Sequence, residues 1–109
     1  MKHTTLEELA DQFDAFFIDQ FGVLMDASGP YPFAVDTVKR LSEYGKPIVL
    51  ISNSGKRAKK NCDWLERLGF ELNLFTAVIT SGEVAYWTLK NKFQDDCSTM
   101  PKIYLISKI

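Results

Sequence analysis

A chain of 109 residues is at most one domain, with material for a modest core. An apolar share of 46% argues against disorder, and charges that cancel to -1 give no global drive toward nucleic acid or an anionic membrane. No apolar run is long enough to span a bilayer. The opening "MKHTTLEELADQF" lacks the apolar centre of a signal peptide and reads as an amphipathic helix. Thr4 with Glu7, or Thr5 with Glu8, supplies a capping box, and Leu6, Leu9 and Phe13 share a face.

A strand–helix rhythm follows. "AFFIDQF" is a continuous apolar run, the pattern of a parallel strand covered on both faces. After a Pro/Gly-rich loop, "FAVDTVKRLSEYG" sets Val35, Val38 and Leu41 at helical spacing and stops at Gly45. "PIVLISNS" is a second buried strand, with Pro47 at its start, where a missing donor is tolerated. "KRAKKNCDWLERLGF" is a helix with Ala58, Cys62, Leu65 and Leu68 inward and Gly69 closing it. "FTAVITS" gives a third strand, "GEVAYWTLKNKF" a third helix after the first loop, and "KIYLISKI" opens a fourth strand. The order predicts an α/β fold, a Rossmann-like three-layer sandwich around a parallel sheet. Residues 1–101 read as its core and residues 102–109 as the start of a cap or a shortened strand. The chain looks like the amino-terminal portion of something longer, and its unprotected last strand makes self-association into a homo-oligomer an expectation.

Parallel α/β sheets bind ligands beyond the carboxyl ends of their strands. Three strands end in polar residues: Asp19, then Ser52-Asn53-Ser54, then Thr80-Ser81-Gly82. Ser54 and Ser81 read equally as helix caps; Asp19 does not, since no helix begins directly after it. The basic run over residues 56–60 reads as a solvated helix face, with attraction of a phosphate as the alternative. It is not a phosphate-cradling Walker loop, because Leu50 stands where that pattern needs glycine. Asp95 and Asp96 read as a solvated turn, and Asp26 as part of a solvated loop. Trp64, Tyr86, Trp87 and Phe93 read as residues packing against the sheet. Cys62 and Cys97 lack metal-ligand spacing, and reduced thiols in the cytoplasm are the simplest account. His3 has no second histidine to build a metal site with.

"FFIDQFGVL" followed by "PIVLISNS" resembles the first two motifs of the haloacid dehalogenase-like superfamily. The "GVL" after the acid, the proline-containing loop and "TSGE" are similar to its nitrophenylphosphatase-type branch, over roughly residues 9–106. The resemblance implies a phosphatase in which Asp19 is the nucleophile, forming an aspartyl-phosphate. It implies Ser52 as phosphoryl ligand and Asn53 as loop support. Gly22, Ser54 and Ser81 would line the substrate crevice, and Gly22 suits a turning backbone near a ligand. It also implies Mg²⁺ held by Asp19, the carbonyl of Phe21 and a later acid, with a small phosphorylated molecule as the partner.

Two departures accompany the resemblance. Family phosphatases carry an acid/base aspartate two residues beyond the nucleophile, where this chain has Phe21, which can neither give nor take a proton. The later lysine and acidic pair of the family have no counterpart here; Lys102 and Lys108 are in the wrong context. The reading is a Mg²⁺-dependent phosphatase site impaired in this chain. The alternative is a non-catalytic module that keeps the fold and its phosphate crevice. A flavodoxin- or receiver-like domain would show paired acids near the amino end, which are missing.

Overall fold

The computed structural model describes residues 4–93 and 102–106. Helix α1 (Leu6–Gln12) starts at Thr5, and of the two expected capping boxes it is Thr5 with Glu8 that forms. Strand β1 (Phe16–Asp19) leads into a tight turn and a small hairpin, β2 (Met25–Asp26) with β3 (Gly29–Pro30). Helix α2 (Ala34–Ser42), strand β4 (Ile48–Ser52), helix α3 (Ala58–Arg67), a short 3₁₀ turn, strand β5 (Ala77–Thr80) and helix α4 (Ser81–Phe93) follow. The hairpin was not read from the sequence. Asp26 makes its turn, accepting from the Ser28 amide at 2.8 Å and the Ser28 hydroxyl at 2.6 Å.

The main sheet is parallel, in the order β1-β4-β5. Register places Phe16, Ile18, Ile48, Leu50, Ser52, Val78 and Thr80 on one face, and Phe17, Asp19, Val49, Ile51 and Ile79 on the other. The first face is the core. Ile48 and Leu50 are fully buried there and join Val38 and Leu41 of α2, Leu65 of α3, Ala10 of α1 and Met25 of the hairpin. Lys46 donates to the carbonyl of Ala10 and Arg40 pairs with Glu7, which seats α1 on this layer.

The second face corrects the expectation of strands covered on both sides. Phe17 is 73% exposed and Ile79 43%, so β1 alternates. The three helices α1 to α3 serve one face, and among the described residues only α4 approaches the other. The expected fourth strand is also corrected: residues 102–106 belong to no helix or strand and are exposed. In α3 the most buried residues are Asn61 and Leu65, with Ala58, Cys62 and Leu68 only half-buried. Tyr86, Trp87 and Phe93 do not pack on the sheet either. They are exposed, with the Arg57 guanidinium 3.4 Å from the Tyr86 ring centre. Cys97, Asp95 and Asp96 lie outside the described residues.

Candidate functional site

At the carboxyl end of the sheet lies an open hollow of about 870 Å³. Asp19, Ser52, Asn53, Thr80 and Ser81 line it, with Ile51, Ile79 and the α4 residues Val84, Ala85, Thr88 and Leu89. Asp19 reaches it because Asp19 is in register with Ile51, which in turn pairs with Ile79 on the α4 side of the sheet. Ser52, one residue past Ile51, belongs to the opposite face and is nearly buried. Its Oγ accepts from the Ser54 amide at 3.2 Å, which leaves its own O–H to donate.

Gly22 and Ser54 lie outside that lining. Gly22 has φ of 84° and turns the chain, its amide donating to the Met25 carbonyl at 2.8 Å. A Cβ there would meet nothing within 4 Å, so the glycine answers to the left-handed φ and not to close approach. Neither Ser54 nor Ser81 caps a helix. Ser54 Oγ accepts from the Lys56 amide at 3.2 Å, closing a turn. The cap of α4 is Thr80, whose Oγ1 accepts from the Glu83 amide at 3.0 Å and donates to the Lys56 carbonyl at 2.7 Å.

The Phe21 ring is not part of the hollow. It stacks on Trp64 of α3 with ring centres 5.6 Å apart, and the Lys56 ammonium lies 5.0 Å from the same Trp64 ring. Arg57 pairs with Glu83 and Lys59 with Asp63. No residue of the basic run lines the hollow, so among the described residues Asp19 is its one charged residue. Beneath Asp19, the buried side chain of Gln20 exchanges two hydrogen bonds with Asn61, at 3.2 and 2.8 Å. This amide pair ties the end of β1 to α3. A glutamine directly after a strand-ending acid was the only available signal, and it was missed.

Magnesium wants several oxygen ligands in near-octahedral geometry, usually carboxylates with substrate oxygens and water. Among the described residues no group of three acidic, histidine or cysteine side chains converges anywhere. Asp19 with a backbone carbonyl is too thin a donor set to hold the ion by itself. The described residues do not fit a resident Mg²⁺.

A parallel sheet whose strand ends gather one carboxylate, a serine and an asparagine around a hollow defines an α/β protein of the Rossmann-like class. Residues 16–106 match the family described as haloacid dehalogenase-like hydrolase, which is most of the chain, and the chain belongs to that family. Within the family its kinship is with the nitrophenylphosphatase-type branch. Over 54 residues it is 39% identical to the 4-nitrophenylphosphatase of Schizosaccharomyces pombe, a stretch that is 50% of this chain and 18% of that protein. A crystal structure of a haloacid dehalogenase-like family hydrolase from Brucella suis 1330 superposes with a TM-score of 0.71 at 28% identity. That match covers 79% of this chain and 32% of the Brucella chain. The chain therefore spans only a minor part of either relative. Among the described residues no helix is long and apolar enough to cross a membrane.

Proposed function

We propose that this chain carries the phosphoryl-accepting part of a phosphatase site, with Asp19 as nucleophile and Ser52 and Asn53 as ligands of the transferred group. The observation that carries the reading is the meeting of Asp19, Ser52 and Asn53 around one hollow in a chain of this family. An Asp19 oxygen would attack phosphorus as the ester P–O bond breaks, the leaving oxygen keeping the bonding pair. Ser52 would donate to a phosphoryl oxygen. Ser81, in the first turn of α4, adds the positive end of that helix, although the Gly82 and Glu83 amides already donate to the Ser54 carbonyl and Thr80.

Turnover by this chain is expected to be slow, for two reasons. Phe21 supplies no proton, and general acid/base catalysis is typically worth about 10²–10⁴-fold. The hollow also opposes its ligand: two like unit charges about 4 Å apart near a protein surface repel by about 4 kcal/mol. Among the described residues no cation in the lining offsets that. Mg²⁺ dependence would need ligands from substrate, water or residues other than those around Asp19. The partner is then a small phosphorylated molecule, and neither a nucleic acid nor a membrane. A cytoplasmic location is part of the same reading, and Cys62 has no disulfide partner among the described residues.

The test is binding of beryllofluoride, with and without Mg²⁺, followed by thermal unfolding and by hydrolysis of 4-nitrophenyl phosphate. Stabilisation lost in Asp19→Asn is the expected result; equal stabilisation of both proteins would refute the nucleophile assignment. Phe21→Asp is expected to raise hydrolysis toward the 10²–10⁴-fold range, most for esters with basic leaving oxygens. A second reading, a phosphate-binding module without turnover, is favoured by the stacking of Phe21 on Trp64. It predicts stabilisation by the analogue with no hydrolysis in either protein.

A further inference from the structure

The strongest long-range polar assembly among the described residues is not in the hollow but behind it. Helix α3 begins at Arg57 without a side-chain cap of its own. Its first-turn amide at Ala58 donates instead to Glu83 Oε2 at 2.9 Å, a carboxylate from the next helix. The same oxygen accepts from Arg57 Nε at 2.7 Å. The other, Oε1, accepts from Arg57 Nη2 at 3.1 Å and from the Trp87 indole at 2.9 Å. A carboxylate offers about four acceptor positions, and here all are occupied. The fork of two parallel bonds to Arg57 is the strong, oriented form of this interaction. Stacking of Arg57 on Tyr86 fixes the plane of the fork.

The backbone makes a seam on the same line. Gly82 donates to the Ser54 carbonyl at 3.0 Å, and Thr80 Oγ1 donates to the Lys56 carbonyl at 2.7 Å. A Cβ at Gly82 would come within 2.2 Å of the Gly55 carbonyl oxygen, closer than any side chain permits. The loop that follows Ser52 is thus clamped at its start by Gly82 and at its end by Glu83.

We propose that Glu83 is the positioning residue of the 52–54 loop: its carboxylate, reaching across from α4 to Arg57 and the Ala58 amide, sets where Ser52 and Asn53 stand in the hollow. The proposal deepens the phosphatase reading and, for the purpose of that positioning, rests on it. Even the isosteric Glu83→Gln breaks the arrangement, because its NH₂ would face donors.

Amide hydrogen exchange on the whole chain reads the clamp without any ligand. In Glu83→Gln, exchange at Ser54, Lys56 and Ala58 is expected to rise about tenfold or more, as loss of charge-assisted bonds opens the loop locally, while residues 49–51 stay near wild type. Trp87→Phe, which removes one of four bonds, is expected to show a smaller rise at the same amides. Beryllofluoride affinity should weaken in parallel with loop exchange while still depending on Asp19. Unchanged loop exchange overturns the proposal. So does a rise shared evenly with the strands, which would make Glu83 a contributor to global stability alone. If Glu83→Gln does not fold, Arg57→Lys removes the fork with the charge kept, and the same two patterns decide. If the wild type ignores beryllofluoride, the phosphatase reading fails, and exchange alone still accepts or rejects the clamp.

Discussion

Asp19 and Gln20 are neighbours with opposite fates, one exposed at the hollow and the other sealed beneath it. Asp19 ends β1, and the Gln20 amide donates to the Ile51 carbonyl at 3.1 Å, which carries the alternation of side chains one residue past the strand. The buried Gln20–Asn61 pair satisfies both carboxamides reciprocally, and breaking it from one side strands the other. Gln20→Leu is therefore expected to cost about 1–3 kcal/mol in urea unfolding, with much of that recovered in the double variant Gln20→Leu/Asn61→Leu. A double variant as unstable as the sum of both singles would show that the pair is not the reason for their burial. Phe21 is explained at the same scale: its ring has a partner in Trp64, so position 21 serves packing as it stands.

Between elements, the decisive event is an exchange of caps. "TSGE" at residues 80–83 is the pattern of a local capping box, and half of that box forms, from Thr80 to the Glu83 amide. The carboxylate of Glu83 turns outward and caps α3 instead. Gly82 lets the two helix starts meet. In an isolated helix, Gly→Ala gains about 1 kcal/mol. Here the 2.2 Å approach to the Gly55 carbonyl outweighs that preference. Gly82→Ala is expected to lower the unfolding midpoint, and a raised midpoint would show that α4 can move away at no cost. The strands contrast similarly: Leu50→Ala in the core should cost about 2–5 kcal/mol, and Phe17→Ser on the open face far less, by the same denaturation.

At the scale of the molecule, the described residues cover the sheet on one side and leave it largely open on the other, and among them β1 forms one edge of the sheet. The last strand from which a homo-oligomer was expected does not form over residues 102–106, but the β1 edge invites pairing in its place, so sedimentation is expected to depend on concentration; a profile independent of concentration would remove the expected homo-oligomer. Acid stability has a defined contributor. Hydrogen bonds from Arg57, then from the Ala58 amide, pull Glu83 from 4.5 down to about 2. Because the folded value is the lower one, this contribution is complete above 4.5 and disappears as pH falls through about 2. The stability advantage of wild type over Glu83→Gln should therefore shrink across that window. Other acids titrate there in both proteins, so the difference isolates Glu83.

The local sequence determined the strand–helix rhythm, the Thr5 cap, the glycine stops at Gly45 and Gly69, and the polar strand ends that meet in the hollow. These follow from propensities and hydrogen bonds among residues a few positions apart, and a parallel sheet brings its strand ends together without further instruction. The bare face, the inward place of Asn61 and the partner of Glu83 were settled only by assembly. Arg57 and Glu83 are 26 residues apart and meet because β4 and β5 are adjacent, setting the starts of α3 and α4 side by side. Periodicity records which residues can be buried; which of them are covered, and which donor finds which carboxylate, depends on what the fold lays against them.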